Sequence, residues 1–290
     1  MASAEPTPTI QYVSQQYGDN VLQQVGIWEM PQQRGGYWIV YIHGGAWRDP
    51  KITHLTFLPT VDQLLSAGRL PPNSIAGFAS IDYRLSPHPD HPQDPAATPT
   101  SELRQARHPD HIRDVQAALR FLSREHGVKE DKYILVGHSA GATLAMQLLM
   151  DPSSRAPERA EEHVPLPAAI VGVSGIYDLV GLDERHDGNY TGFITSAFGS
   201  DRKIWDVASP VNFTGNFQTN WPNAKLAVLA WSREDTLIDE PEIDKMAAKL
   251  IKDRLNVSVT KSLTGEHDDV WGSGQQLARL IVLTLAQIRE

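Results

Sequence analysis

The sequence predicts an α/β fold with a mostly parallel central sheet and helices on both of its faces. Three observations predict it. Short, apolar, β-branched runs recur along the chain and alternate with stretches of helical periodicity. The runs are almost continuously apolar, as strands covered on both faces are. With 290 residues, 41% of them hydrophobic and 21% charged, the chain can bury a core that needs no disulfide or metal staple.

Taken in order, residues 23–30 read as an antiparallel edge strand. Tyr37–Ile42 (YWIVYI) is the first fully apolar run, and 75–83 is the second. Residues 133–136 (YILV), 168–173 (AAIVGV), 226–230 (LAVLA) and Val257–Leu263 complete the strands. Between them, 111–125, 140–150, 241–255 and 274–288 carry helical patterns. Two segments break the rhythm. Residues 86–110 hold Pro87, Pro89, Pro92, Pro95, Pro99 and Pro109, too many for a helix or central strand, so this is an inserted loop. Residues 178–217 are rich in glycine and aromatics, lie between two predicted strands, and read as a small helical cap within a single domain spanning 1–290.

Composition excludes several classes of function. There are 26 Lys and Arg against 35 Asp and Glu, a formal net charge of −9, which argues against a nucleic-acid partner. The chain has no cysteine, so disulfides, thiolate metal sites and thiol nucleophiles are all excluded. Residues 1–9 lack a basic and an apolar region and do not read as a secretory signal. The longest apolar stretch, 277–288, is interrupted by Arg279 and reads as an amphipathic helix, short of a membrane span. The expected location is therefore the cytoplasm, and the glycosylation sequons at Asn189, Asn212 and Asn256 are expected to be chance matches.

Chemistry enters at Gly137-His138-Ser139-Ala140-Gly141. This G-x-S-x-G pentapeptide follows the run YILV and opens a helical stretch. In that setting the serine sits on a strained strand-to-helix turn whose neighbours must be small. The helix N-terminus adds backbone N–H groups and partial positive charge beside it. A second signal, His43-Gly44-Gly45-Ala46-Trp47, follows the run YWIVYI. Its paired glycines let backbone N–H groups turn toward a substrate oxygen, and with the N–H of Ala140 they would form an oxyanion hole. His43 reads as a residue that holds this loop, and Trp47 as either core or pocket wall.

A serine nucleophile needs a base, and the base needs an orienting acid. On this architecture both follow the serine, acid first, on loops after later strands. Asp235 follows LAVLA, and His267 follows the last strand. Asp235 is preferred to Glu234 and to Asp239, which reads as the start of the next helix. His267 is preferred to His163 and His186, neither of which follows a late strand. The pairs His88/His91 and His108/His111 have metal-like spacing but no clear third ligand, so capping or solvent-exposed histidines, and no metal, are expected.

HGGAW, DYRLSP, GHSAGA, SGIYDL, the SRED segment and GEHDDV, in that order, resemble an α/β-hydrolase of the hormone-sensitive-lipase-like group across 37–288. The third glycine of the lipase-type HGGG is here Ala46. The HGGxW form resembles that of eukaryotic, particularly fungal, kynurenine formamidase. The resemblance implies hydrolysis of N-formyl-L-kynurenine to L-kynurenine and formate without a cofactor. It also implies Ser139, Asp235 and His267 as the triad, with Gly44, Gly45 and Ala140 as backbone donors. HGGxW is shared with carboxylesterases of the same fold, so a short-chain carboxylesterase is the alternative, and an inactive small-molecule receptor the remote one. Trp47 is expected to narrow the acyl side of the site. Arg48, Arg84 and Tyr177 are the candidates for the amino-acid end of a substrate, and no spacing chooses among them. The expected partner is that small molecule, with no nucleic acid or membrane; a homodimer is compatible with the sequence.

Overall fold

The structure, a computed structural model, describes residues 10–30, 35–66, 73–150 and 163–289. Residues 1–9, on which the reading of the N-terminus rests, lie outside them.

Among the described residues, eight strands form one sheet: β1 (Gln11–Gln16), β2 (Gln24–Glu29), β3 (Tyr37–Ile42), β4 (Ile75–Ile81), β5 (Tyr133–His138), β6 (Ala169–Val173), β7 (Leu226–Ser232) and β8 (Val257–Leu263). Their spatial order is β1-β2-β4-β3-β5-β6-β7-β8. The pairings from β4 through β8 are parallel, whereas β2 runs antiparallel to β4 and β1 antiparallel to β2. Two expectations are corrected here. The segment read as an edge strand is β2, an inner strand, and the edge is β1, QYVSQQ, exposed along its whole length. The last strand, β8, is an edge and only partly covered.

Ten α-helices of the described residues flank or cap the sheet: α1 (Leu58–Ser66), α2 (Asp110–His126), α3 (Ala140–Gln147), α4 (Leu179–Arg185), α5 (Thr191–Phe198), α6 (Arg202–Ala208), α7 (Phe217–Asn220), α8 (Glu240–Lys252), α9 (Asp269–Gly272) and α10 (Gln275–Arg289). Strand pleating sends alternate side chains to opposite faces, and two cores result. Val40, Ile42 and Leu135 point to the face covered by α2, α3 and α8. Ile39, Tyr41, Ile134 and Val136 point to the face covered by α1 and α10. Crossover helices cover both faces of the parallel part, so β3, β5, β6 and β7 are buried throughout.

Residues 86–109 run as an irregular segment with one 3-10 turn, Thr100–Glu102. Residues 178–217 hold α4, α5 and α6. Arg185 ties this segment to the start of α8: its Nε donates to Asp239 Oδ2 (2.6 Å) and its Nη2 to Glu242. Glu242 also accepts the Asp178 N–H (2.8 Å); burial pushes its carboxyl up to about 7 despite these donors. Among the described residues no helix is long and apolar enough to cross a membrane.

Candidate active site

The turn between β5 and α3 holds Ser139 at φ 52°, ψ −122°, a backbone conformation rare for a side-chain-bearing residue. Its neighbours show why the turn needs glycine. A Cβ on Gly141 would lie 2.1 Å from the Ile42 carbonyl oxygen, and one on Gly137 would lie 2.5 Å from the Gly141 carbonyl oxygen. The helix therefore starts pressed against the end of β3. The Ser139 N–H donates to the Val173 carbonyl (2.9 Å), which anchors the strained residue to the adjacent strand. Ala140, the first residue of α3, carries its N–H at the helix terminus, where it has no intrahelical acceptor.

The loop after β3 reaches the same point. A Cβ on Gly44 would lie 2.9 Å from Ser139 Cβ, so the Gly44 backbone is packed onto the serine with no room for a side chain. Gly45, Ala46 and Trp47 all have positive φ, at 85°, 49° and 59°, and turn the chain sharply beside it. DYRLSP, beyond β4, braces this loop. The His43 ring stacks on Tyr83 with centroids 4.6 Å apart. The Tyr83 hydroxyl donates to the carbonyl of Gly44 (3.0 Å). Asp82 faces His43 Nε2 (3.3 Å) and His54 Nδ1 (2.6 Å). Burial would raise the Asp82 carboxyl, but these two histidines hold it below its usual range. His43 thus lies where the sequence expects it, inside the loop. The support from Asp82 and Tyr83 goes beyond the sequence reading, and its one signal in the sequence is their position just past β4, the neighbour of β3.

The base and acid candidates come together on the loops after β8 and β7. His267 Nδ1 lies 2.9 Å from Asp235 Oδ2. Asp235 Oδ1 accepts the N–H groups of Leu237 (3.0 Å) and Ile238 (2.9 Å). Burial would raise the Asp235 carboxyl; the contact with His267 and the Ile238 N–H outweigh it and hold the group below its usual range. An ionised Asp235 is acceptor-only, so His267 Nδ1 carries the proton and Nε2 is left as the acceptor. The two loops are stitched together by Ser232 Oγ donating to the Gly265 carbonyl (2.7 Å), Gly265 N–H to Glu234 (2.8 Å) and Thr236 Oγ1 to Glu266 (2.7 Å). His186 stacks on Tyr190 with centroids 4.5 Å apart, and the other three competitors are occupied elsewhere. Asp239 holds Arg185, Glu234 holds the Gly265 N–H, and His163 faces Glu130.

Ser139, His267, Gly44, Gly45 and Ala46 line one cavity of about 290 Å³, together with Arg48, Tyr190, Phe193 and Trp271. Trp47 is not among them. It is fully buried, edge-on to Phe198 (centroids 5.0 Å) and against Phe193 (6.2 Å). The expectation that Trp47 walls the acyl side is corrected: α5 of the cap covers it, and Phe193 stands between the indole and the cavity side. Of the three candidates for a substrate's polar end, only Arg48 lines the cavity. Arg84 is paired with buried Asp114 (2.8 Å), and Tyr177 is wholly buried.

The structure also differs at the histidines. His111 is buried, 3.0 Å from Ser86 Oγ, and burial holds its imidazole down to about 3. His88 is half-buried and lines the cavity. His138 lies beneath the site with Nε2 3.1 Å from the His267 carbonyl, so it supports the base loop. Among the described residues His138, His267 and Asp268 bring ligand-type atoms within 4.8 Å of one another. His138 Nε2 already faces a carbonyl and His267 Nδ1 faces Asp235, which leaves this trio a poor metal cage.

Comparison with known proteins places the chain among hydrolases. The BD-FAE family model matches residues 100–226. The "Kynurenine formamidase-like hydrolase fscH" of Fusarium equiseti is 37% identical over 88% of this chain and 85% of its own. "Kynurenine formamidase avaC" of Aspergillus versicolor is 37% identical over 81% of this chain and 84% of its own. Among solved structures, esterase B of Lactobacillus rhamnosis superposes with a TM-score of 0.68 at 16% identity, over 99% of this chain and 88% of the esterase. That likeness identifies the fold as the α/β-hydrolase fold. Identity above a third over most of both chains shows more: this chain belongs to the kynurenine formamidase family of α/β-hydrolases.

Proposed function

We propose that this chain is a serine hydrolase that cleaves the formyl amide of N-formyl-L-kynurenine, giving L-kynurenine and formate. The observation that carries the reading is the ordered set Ser139, Asp235 and His267, with the serine on a strained turn and His267 2.9 Å from Asp235, in a chain of this family. The whole chain acts as one domain, with the proline loop and the cap as parts of it.

Ser139 Oγ attacks the formyl carbon and its proton passes to His267 Nε2. The oxyanion forms against the N–H groups of Gly44, Gly45 and Ala140. As the C–N bond breaks, His267 returns the proton to the aryl amine, which leaves as kynurenine. Water, deprotonated by His267, then attacks the formyl-serine ester, and formate departs with Ser139 restored. Asp235 keeps the imidazole in the tautomer that accepts at Nε2. An aryl amide suits this machinery, because the ring draws on the nitrogen lone pair and lowers the basicity of the leaving amine. The chain's own residues supply every proton transfer.

The test is turnover of N-formyl-L-kynurenine by purified protein, followed as kynurenine absorbance, with a sulfonyl fluoride to trap the nucleophile. Turnover lost in step with sulfonylation of Ser139 supports the reading. Full activity after stoichiometric sulfonylation of Ser139 contradicts it.

A further inference from the structure

A second cavity, of about 530 Å³, adjoins the first and shares Arg48 and His88 with it. Its walls are the proline loop and the cap. Pro87, Pro89, Pro92 and Pro95 line one side, and Gly192 and Ser196 of α5 line the other. The two walls are tied by Ser196 Oγ donating to the Pro87 carbonyl (2.6 Å). Five fixed-φ residues between 87 and 99 make this wall stiff without regular structure.

Two guanidinium groups line this annex, Arg48 and Arg104. Arg104 donates from Nη2 to the His91 carbonyl (2.7 Å), while its Nε is buried with no partner. Arg48 lies at the junction of the two cavities, its guanidinium over the Phe193 ring at 5.9 Å. Among the described residues neither arginine has a carboxylate within ion-pairing distance. Burial lowers the Arg48 pKa, and Asp90 and Asp49 oppose this only through space. Asp49 Oδ1 is turned onto the Lys51 N–H instead (2.9 Å). Asp49 lines the same cavity without pairing with Arg48, and an arginine set at a cavity junction with no direct ion-pair partner suits an anionic ligand; its planar fork suits a carboxylate bound through two parallel hydrogen bonds.

We propose that Arg48 and the proline-walled annex form a subsite for a carboxylate on the leaving-group side of the substrate, so that the enzyme selects aryl amines bearing an acidic tail. The proposal rests on the formamidase reading only for the identity of that tail, the α-carboxylate of kynurenine. It gives the proline loop a role: the loop closes a second chamber against the cap, and Arg48 marks the passage into it.

The test compares matched pairs that differ only in the carboxylate. One pair is N-formyl-L-kynurenine and its carboxamide; the other is 3-(2-acetoxyphenyl)propanoate and its carboxamide. We expect kcat/KM to favour the acid about tenfold or more, as befits a hydrogen-bonded charge pair. In Arg48→Met that ratio falls to about one, chiefly through KM, and Arg48→Lys keeps an intermediate ratio. Competitive inhibition of the wild type by 3-phenylpropanoate, stronger than by 3-phenylpropanamide, gives the same answer without any variant. A ratio near one in the wild type, or one that Arg48→Met leaves intact, overturns the subsite. If the esters are cleaved and the formamides are not, the formamidase reading fails, and the ester pair still decides the subsite.

Discussion

Ser139, Asp235 and Trp47 each make a claim that one substitution tests. Ser139→Ala should leave the fold intact, since a small residue suits the turn, and lower kcat by roughly 10⁴-fold or more, because members of such a set act as a unit. Circular dichroism and kcat on one preparation check both halves. Asp235→Asn should cut kcat by roughly 10⁴-fold through the wrong imidazole tautomer. Asp239→Asn, which touches the contacts with Arg185 and His186, should leave kcat within a few-fold; the reverse ranking would move the acid. The Asp235 carboxyl is held below its unfolded value, so its contact stabilises the fold above the ordinary carboxylate range and is lost as pH falls through the lowered value. The stability gap between wild type and Asp235→Asn in urea should therefore be widest near neutrality and close on acidification below about pH 4. Trp47→Ala should act on stability first. Emptying a fully buried indole site costs about 3–5 kcal/mol, read as a lower midpoint in the same urea titration. A longer-chain acyl preference with unchanged stability would restore Trp47 to the cavity wall.

The elements that carry the site are close-packed loops at one end of the parallel strands, and their tolerances are tight. Gly44→Ala places a Cβ 2.9 Å from both Ser139 Cβ and His138 Nδ1. Because those atoms belong to the turn and the base-loop support, the loop must shift away from the serine. We expect a folded protein with at least tenfold lower kcat, since the loss of one oxyanion donor alone costs about 10²-fold. A kcat within twofold of wild type would contradict the placement of the loop. At this scale the sequence was legible where burial is two-sided: β3, β5, β6 and β7 stand out as apolar runs because helices cover both their faces. It was silent on β1, QYVSQQ, whose exposed side chains carry no apolar pattern and which is held by backbone pairing to β2. It was silent too on α1, whose LPTVDQLLS is short and preceded by a single 3-10 helical turn, His54–Phe57. The chain order of Ser139, Asp235 and His267 was legible because each follows a strand in a fixed topology. The burial of Trp47 was not, because α5, about 150 residues later, decides which way the indole faces.

At the scale of the molecule, the sheet presents the serine turn, the glycine loop and the Asp235–His267 pair at its carboxyl end, the usual ligand side of open α/β sheets, and the cap and proline loop close over them. Arg185 and Glu242 tie the cap to the start of α8, and the shape of the cavity beneath it is what separates a formamidase from an esterase. A formyl carbon bears only hydrogen, so its tetrahedral intermediate needs no room for an acyl chain beside Gly44 and Ser139. Each methylene that does not fit costs about 1–3 kcal/mol of transition-state binding, or roughly 10- to 200-fold in kcat/KM. The central claim is tested most directly by kcat/KM for the formyl, acetyl and butyryl amides of L-kynurenine, measured side by side. The account predicts the order formyl, acetyl, butyryl, each step at least about tenfold. N-formyl-L-kynurenine left untouched while butyryl esters turn over would contradict it and put a carboxylesterase in its place.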